Sequence, residues 1–239
     1  MYSKADLSRF FQMAELIVTI DGPAASGKST AARLLAKKLK ASFLDTGAMY
    51  RAVTLAAMQA GVDINDEDQL LDVMDKSEFQ FTAHEDRMLV RVDGIDVTEQ
   101  LRDQQVTANA RYIASAPKVR ERLVRMQRQF SSSQKKIVTE GRDQGTVAFA
   151  DADVKFFLTA EPGERARRRQ AELRANSGVK SLKEIQNSIE QRDKSDRDRA
   201  VGPLKPAVDA IVIDTTDLNI EQVVDKLLGL VREKCLKNG

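Results

Sequence analysis

Along the chain, short runs that are apolar at nearly every position alternate with stretches in which apolar residues recur at helical spacing. Leu16-Ile17-Val18-Thr19-Ile20 is β-branched and almost wholly apolar, the pattern of a strand covered on both faces, and it runs straight into a glycine turn. From Lys28 to Lys40, Ala32, Leu35, Ala36 and Leu39 recur at helical spacing, and Ser42 to Asp45 predicts a second short strand. Residues 46 to 60 predict a second helix. Asp66-Glu67-Asp68 opens the next, where carboxylates favour the N-terminal end of the helix dipole. Between Glu78 and Thr98 the period falls to two: Phe79 and Phe81, then Leu89-Val90-Arg91-Val92 before an Asp93-Gly94 turn, predict a small antiparallel insert. Helical periodicity returns from Gln100 to about Phe130, broken near Pro117 and closed by a Ser131-Ser132-Ser133 loop. Strands at Lys136 to Thr139, Val154 to Thr159 and Ala210 to Asp214 follow, the last before a terminal helix with Asn219 as its cap. Five strands alternating with helices predict an α/β fold, a doubly wound parallel sheet with helices on both faces.

Composition narrows the possibilities. A length of 239 residues at 42% hydrophobic content sustains one sizeable core. With 38 Lys plus Arg against 36 Asp plus Glu, a net charge of +2 provides no global field for bulk nucleic-acid binding, so a cationic site must be local. Cys235 is the sole cysteine and has no partner for an intramolecular disulfide, which fits a reducing cytoplasm. Apolar stretches fall far short of the roughly 20 residues a spanning helix needs, and the N-terminus lacks a basic segment followed by an apolar one, so neither membrane insertion nor secretion is expected. Residues 1 to 14 read as a charged extension. His84, the only histidine, lies in a polar turn, and no His/Cys cluster offers a metal site.

Gly22-Pro23-Ala24-Ala25-Ser26-Gly27-Lys28-Ser29 has the spacing of a phosphate-binding loop, placed directly after a strand and before a helix that continues at Thr30. The glycines let the backbone fold around phosphate oxygens, with amides and helix dipole aimed at them. Lys28 reaches the β and γ phosphates and the Ser29 hydroxyl ligates Mg²⁺. GTPases, motor ATPases and small-molecule kinases share such a loop, so it names no reaction. No N-K-x-D segment is present to read guanine. No apolar strand ending in a single aspartate of the Walker-B kind is evident, leaving Asp21 and Asp143 as the nearest candidates for a water-mediated Mg²⁺ contact.

A kinase of small phosphates needs cations facing its acceptor, because two polyanions meet there. Thr46 and Asp45 stand at a strand end with Arg51 on the following helix, and Gly141-Arg142-Asp143 sits just past the strand at Lys136 to Thr139, where open α/β sheets bind ligands. Arg192, Asp196 and Arg199 share one helical face by spacing; a solvated charged surface is the other reading. Arg165, Arg167, Arg168 and Arg169 begin a helix after the strand at Val154 to Thr159. They cannot all face one nucleotide, and without interleaved aromatics they do not form a nucleic-acid patch.

Ile20-Asp21-Gly22-Pro23, Leu44-Asp45-Thr46-Gly47-Ala48-Met49-Tyr50-Arg51, Pro117-Lys118-Val119-Arg120, Gly141-Arg142-Asp143-Gln144-Gly145-Thr146 and Arg192-Asp193 through Arg199-Ala200-Val201, in this order, resemble the bacterial cytidylate kinase family from about Leu16 to the terminal helix. The resemblance implies a P-loop kinase moving the γ-phosphate of ATP to CMP or dCMP, with Mg²⁺ as cofactor. It implies a core at 15–62, 134–175 and 203–239, an acceptor-binding region with the β insert at 63–133, and a short helical lid at 176–202. Lys28, Arg51 and Arg142 would be catalytic. Gly22 to Thr30 would hold ATP, with Arg165 and Arg168 reaching its phosphates. Arg51 and Arg142 would grip the acceptor phosphate beside Thr46, Arg120 and Asp143 would read the cytosine edge, and Arg192 and Asp196 would address the sugar, with Arg199 close to base or phosphate. An acceptor on the exocyclic amine and a donor on the ring carbonyl suit cytosine, since uracil reverses the first group. Arg111 stands where the family usually carries serine, and Phe149-Ala150 where phenylalanine-proline is usual. Kinases of UMP or shikimate, and a nucleotide-binding switch without turnover, are the alternatives. A monomer is expected.

Overall fold

In a computed structural model, residues 14–85, 87–176 and 181–238 are described; the predicted extension at 1–14 lies almost wholly outside them. Eight strands and eight α-helices occur among these residues. A parallel sheet has the order β2-β6-β1-β7-β8, formed by β1 (Leu16–Asp21), β2 (Ser42–Asp45), β6 (Lys136–Gly141), β7 (Val154–Thr159) and β8 (Ile211–Asp214). An antiparallel sheet of three strands contains β3 (Phe79–His84), β4 (Arg87–Val92) and β5 (Ile95–Asp96). Every residue of β1 is buried, as its unbroken apolar run requires. Beside it Val18 is in register with Val154 and Ile20 with Phe156. Burying a side chain such as Phe156 contributes roughly 2–3 kcal/mol.

The described chain divides into two units, one comprising residues 18–39 and 140–239, the other 40–139 with the segment up to Ile17. In the first, α1 (Lys28–Leu39) packs on α8 (Ile220–Asn238), and α6 (Pro162–Asn176) packs on α7 (Leu182–Asp198). Asn219 caps α8, its Oδ1 accepting from Gln222 N at 2.9 Å. Ser181 and Glu184 close a reciprocal capping box on α7. Cys235 is exposed on α8.

In the second unit, α2 (Thr46–Ala60) is capped by Asp45 and ends at Gly61, whose φ of 66° is the left-handed turn that glycine adopts without strain. Asp66 caps α3 (Glu67–Lys76). Strand β4 buries Met88, Val90 and Val92 on one face and packs on α2 and β2. The predicted long helical stretch is three elements. A 3₁₀ turn at Gln100–Arg102 precedes α4 (Gln104–Ser115), because the Asp103 carboxylate accepts from Gln105 and Val106 and starts a new helix. The third, α5 (Pro117–Ser132), runs through the expected serine loop, since the Ser132 hydroxyl returns to Gln129 O at 2.8 Å. Among the described residues, no helix is long and apolar enough to cross a membrane.

Candidate active site

Strand β1 ends at Asp21 and the chain turns sharply. Gly22 has a φ of 153°, and a Cβ there would stand 2.1 Å from Leu158 O of β7. Ala25 (58°) and Gly27 (84°) also have positive φ, a backbone pattern from which anion-binding concavities are built. The buried Lys28 Nζ donates to Pro23 O at 2.9 Å. Burial, and then the neighbouring Arg142 charge, lower its pKa to about 7, against the pull of Glu140. Ser29 Oγ donates to Glu140 Oε1 at 3.0 Å.

That contact brings a carboxylate to the serine of the loop. The apolar strand ending in an acid is present as β6, Ile137-Val138-Thr139-Glu140, and its acid is Glu140 instead of aspartate. Asp21 is engaged elsewhere: its two oxygens accept from Gln144 N at 2.9 Å and Gly145 N at 2.8 Å, fixing the π-helical turn at Gln144–Ala148 that follows Asp143. Asp143 is itself buried.

Burial pushes the Asp21 carboxyl up to about 7, with Asp143 adding to the rise and the two amides and Arg142 opposing it. An unfolded chain releases this proton near pH 4, whereas the folded chain keeps it to about pH 7. Stability therefore falls as pH rises across that interval and then levels off. Relative to wild type, Asp21→Asn is expected to gain about 2–3 kcal/mol between pH 5 and pH 8 in urea denaturation. A difference that does not change with pH would contradict this.

The loop is fastened by side chains far along the sequence. Ala24 N donates to Asp193 Oδ1 at 2.8 Å, and Ala24 O accepts from Arg165 Nη1 at 3.1 Å. Arg165 also pairs with Asp193 Oδ2 and donates through Nε to Ala160 O at 3.1 Å. Its guanidinium thus supports the loop from beneath. Thr215 Oγ1 reaches Ser26 O at 3.3 Å and accepts from Arg168 Nη1 at 3.0 Å. That Nη1 lies 3.7 Å from where a Gly27 Cβ would stand, so Arg168 flanks the loop. Arg167 and Arg169 form exposed pairs with Glu164 and Glu172, leaving two of the four arginines at the loop. Ser29 and Thr30 are exposed.

Arg142 follows β6. Its Nε donates to Asp196 Oδ2 at 2.7 Å and its Nη1 to Gly141 O at 3.2 Å. Although burial pushes the Asp196 carboxyl up, Arg142, Arg199 and Arg192 together hold it below the usual carboxylate range. Burial disfavours the Arg142 charge, yet Asp196 and Glu140 raise its pKa above the ordinary arginine value. Arg192 is exposed on α7. Arg199 stands one residue beyond that helix, where the chain turns extended, and still lies 3.9 Å from Asp196 Oδ1. Lys28, Glu140, Arg142, Arg192 and Asp196 form one electrostatic neighbourhood.

The other unit carries its own cationic groups. Asp45 Oδ1 caps Ala48 N at 2.8 Å while Oδ2 accepts from Arg51 Nη2 at 3.2 Å. Gly47 leaves room for that pair, since a Cβ there would stand 2.8 Å from Arg51 Nη1 and the guanidinium would have to shift. Thr46 is buried at the start of α2. Arg120 is buried with its guanidinium 5.6 Å from the Tyr50 ring centroid and Nη1 on Ala114 O at 3.2 Å. Arg111 is exposed and turns to Tyr112, donating to its hydroxyl at 2.8 Å.

The sequence reading missed Glu140, Asp193 and Thr215. The acid ending β6 was a readable signal. Thr215 carries none.

A family model described as cytidylate kinase matches residues 18–233. Relatives of that description include the protein from Rhodopirellula baltica, 48% identical over 91% of this chain and 93% of its own. Another, from Desulfitobacterium hafniense, is 44% identical over 92% and 94%. Among solved structures, shikimate kinase from Bacteroides thetaiotaomicron aligns at 17% identity with a TM-score of 0.45, covering 91% of this chain and 98% of that one.

Proposed function

Because the chain belongs to the cytidylate kinase family, we propose that it transfers the γ-phosphate of ATP to CMP or dCMP, giving ADP and CDP or dCDP. The carrying observation is that one helix, α7, bonds the phosphate loop through Asp193 and Arg142 through Asp196 within a single unit.

In this reading the loop from Gly22 to Thr30 cradles the β and γ phosphates, and Lys28 gives up its contact with Pro23 O to reach them. Arg168 flanks the nucleotide phosphates and Arg165 acts on them through the loop. Arg142 grips the acceptor phosphate, as Arg51 does beside Thr46. Arg120 and Asp143 read the base edge, and Arg192, Asp196 and Arg199 address the sugar and phosphate side. The Ser29 hydroxyl and Glu140 carboxylate are hard oxygen donors that suit Mg²⁺, which takes few protein ligands and keeps its substrate phosphates. When bound, the ion neutralises charge on the phosphates during transfer.

No general base is needed. A phosphomonoester has its second pKa near 6, so an oxygen of CMP is already anionic at neutral pH and attacks the γ-phosphorus in line, the bond to ADP breaking as the new one forms. Catalysis then rests on position and charge compensation. The test is ADP formation from Mg-ATP with CMP, dCMP, UMP, AMP and GMP supplied separately. Turnover at least a hundredfold more efficient with CMP or dCMP than with purine acceptors is expected. ADP release with UMP, or with shikimate supplied as a further acceptor, but not with CMP, or ATP binding without turnover, overturns the assignment.

A further inference from the structure

Asp193 is 1% exposed, and a buried carboxylate is tolerated only when its oxygens are matched. Here Oδ1 takes the Ala24 amide and Oδ2 takes the Arg165 guanidinium, which in turn holds Ala24 O. Both polar groups of Ala24 are therefore satisfied by side chains of α7 and α6, as a strand ladder would satisfy them. Around these bonds Ala24, Ala166, Ile185 and Ile189 form an apolar cluster, joined by Ala25 and Leu173, that keeps water out. One turn further along α7, Asp196 holds Arg142. Positions three apart on a helix share a face, so a single rigid element carries one carboxylate to the phosphate loop and another to Arg142.

We propose that Asp193 is a positioning residue coupling the phosphate loop to the acceptor-binding end of α7, so that ATP on the loop and CMP beside Arg142 and Asp196 alter each other's affinity. This rests on the proposed CMP kinase activity. Asp193 touches neither substrate. Its bond to Ala24 N fixes the loop tip relative to α7, and a shift of that helix on acceptor binding reaches the loop through this bond. By linkage the coupling is reciprocal.

The test measures binding of a non-hydrolysable ATP analogue by calorimetry with and without saturating CMP, alongside steady-state kinetics. Wild type is expected to show an affinity ratio differing from one by about fivefold or more. Asp193→Ala is expected to bring the ratio within twofold of one and raise the KM for ATP about tenfold, with a smaller change in kcat. Asp193→Asn, which keeps an oxygen for Ala24 N, should fall between. Because Asp193→Ala strands the Arg165 charge and can unfold the chain, Asp193→Leu combined with Arg165→Met supplies an apolar pair of similar size. A folded double variant that keeps the wild-type ratio shows Asp193 to be structural only and overturns the proposal, as does a wild-type ratio within twofold of one. A wild type that binds the analogue but not CMP overturns the functional reading instead. The analogue affinity of Asp193→Asn, which leaves Arg165 on Ala24 O, expected several-fold weaker than wild type, then decides the role of Asp193 at the loop, and an unchanged affinity overturns it.

Discussion

Arg142→Ala is expected to lower kcat/KM for CMP by about a thousandfold or more, with the affinity for an ATP analogue changed only a few-fold. An arginine that compensates charge during phosphoryl transfer is worth about 10³–10⁵ in rate, and one that positions the attacking phosphate acts on the same step. Two further features of this site add to the loss. Asp196 surrenders its 2.7 Å partner and keeps only the weaker influence of Arg199 at 3.9 Å and of Arg192, so a less well compensated carboxylate faces the incoming acceptor dianion. The orientation of the guanidinium is also fixed by two bonds, to Asp196 and to Gly141 O, which leave other N–H groups for phosphate oxygens. A lysine has no counterpart of the Nε bond, so Arg142→Lys should recover less than a tenth of the lost activity. A loss below tenfold in Arg142→Ala, measured at saturating Mg-ATP, would remove Arg142 from the acceptor site.

Gly22→Ala is expected to destabilise the chain by about 4 kcal/mol or more and abolish binding of the ATP analogue. The added carbon would stand 2.1 Å from a backbone carbonyl of β7, which cannot rotate away as a side chain does. Neither β1 nor β7 can yield, because both are buried and paired from Val18–Val154 to Asp21–Phe157. Gly61→Ala is the control. That glycine also has positive φ, 66°, but a Cβ there would meet nothing within 4 Å. Its cost is the conformational strain alone, about 1–2 kcal/mol. Urea denaturation of both variants separates the two causes, and comparable losses would show that close approach at Gly22 is not the controlling factor.

The elements most readable in the sequence were those whose burial is dictated locally. An unbroken apolar run such as β1 belongs in the middle of a parallel sheet, and the alternation of Phe79, Phe81, Val90 and Val92 belongs on a sheet covered on one face. Boundaries set by side chains returning to their own backbone were less readable. Asp103 starts a helix inside an apparently continuous period, and Ser132 prolongs one by bonding backward instead of opening a loop. At the site, the phosphate loop was legible because its function demands a fixed spacing, and β6 reads as a strand. Glu140 was overlooked because only aspartate was sought at its end. Asp193 stood in the family-like stretch without a role of its own, since spacing within α7 says nothing about Ala24, 169 residues earlier in the chain. The same limit hid Thr215.

The supports of the phosphate loop all come from later in the chain: Glu140 for Ser29, Leu158 against Gly22, Arg165 and Asp193 on Ala24, Thr215 on Ser26. A ribosome adds about 5–20 residues per second, so the 189 positions between Ser26 and Thr215 take roughly 10 to 40 s to synthesise. Over that interval the supports are added one at a time, Glu140 first and Thr215 last, so the loop sequence waits for its scaffold to be completed from behind.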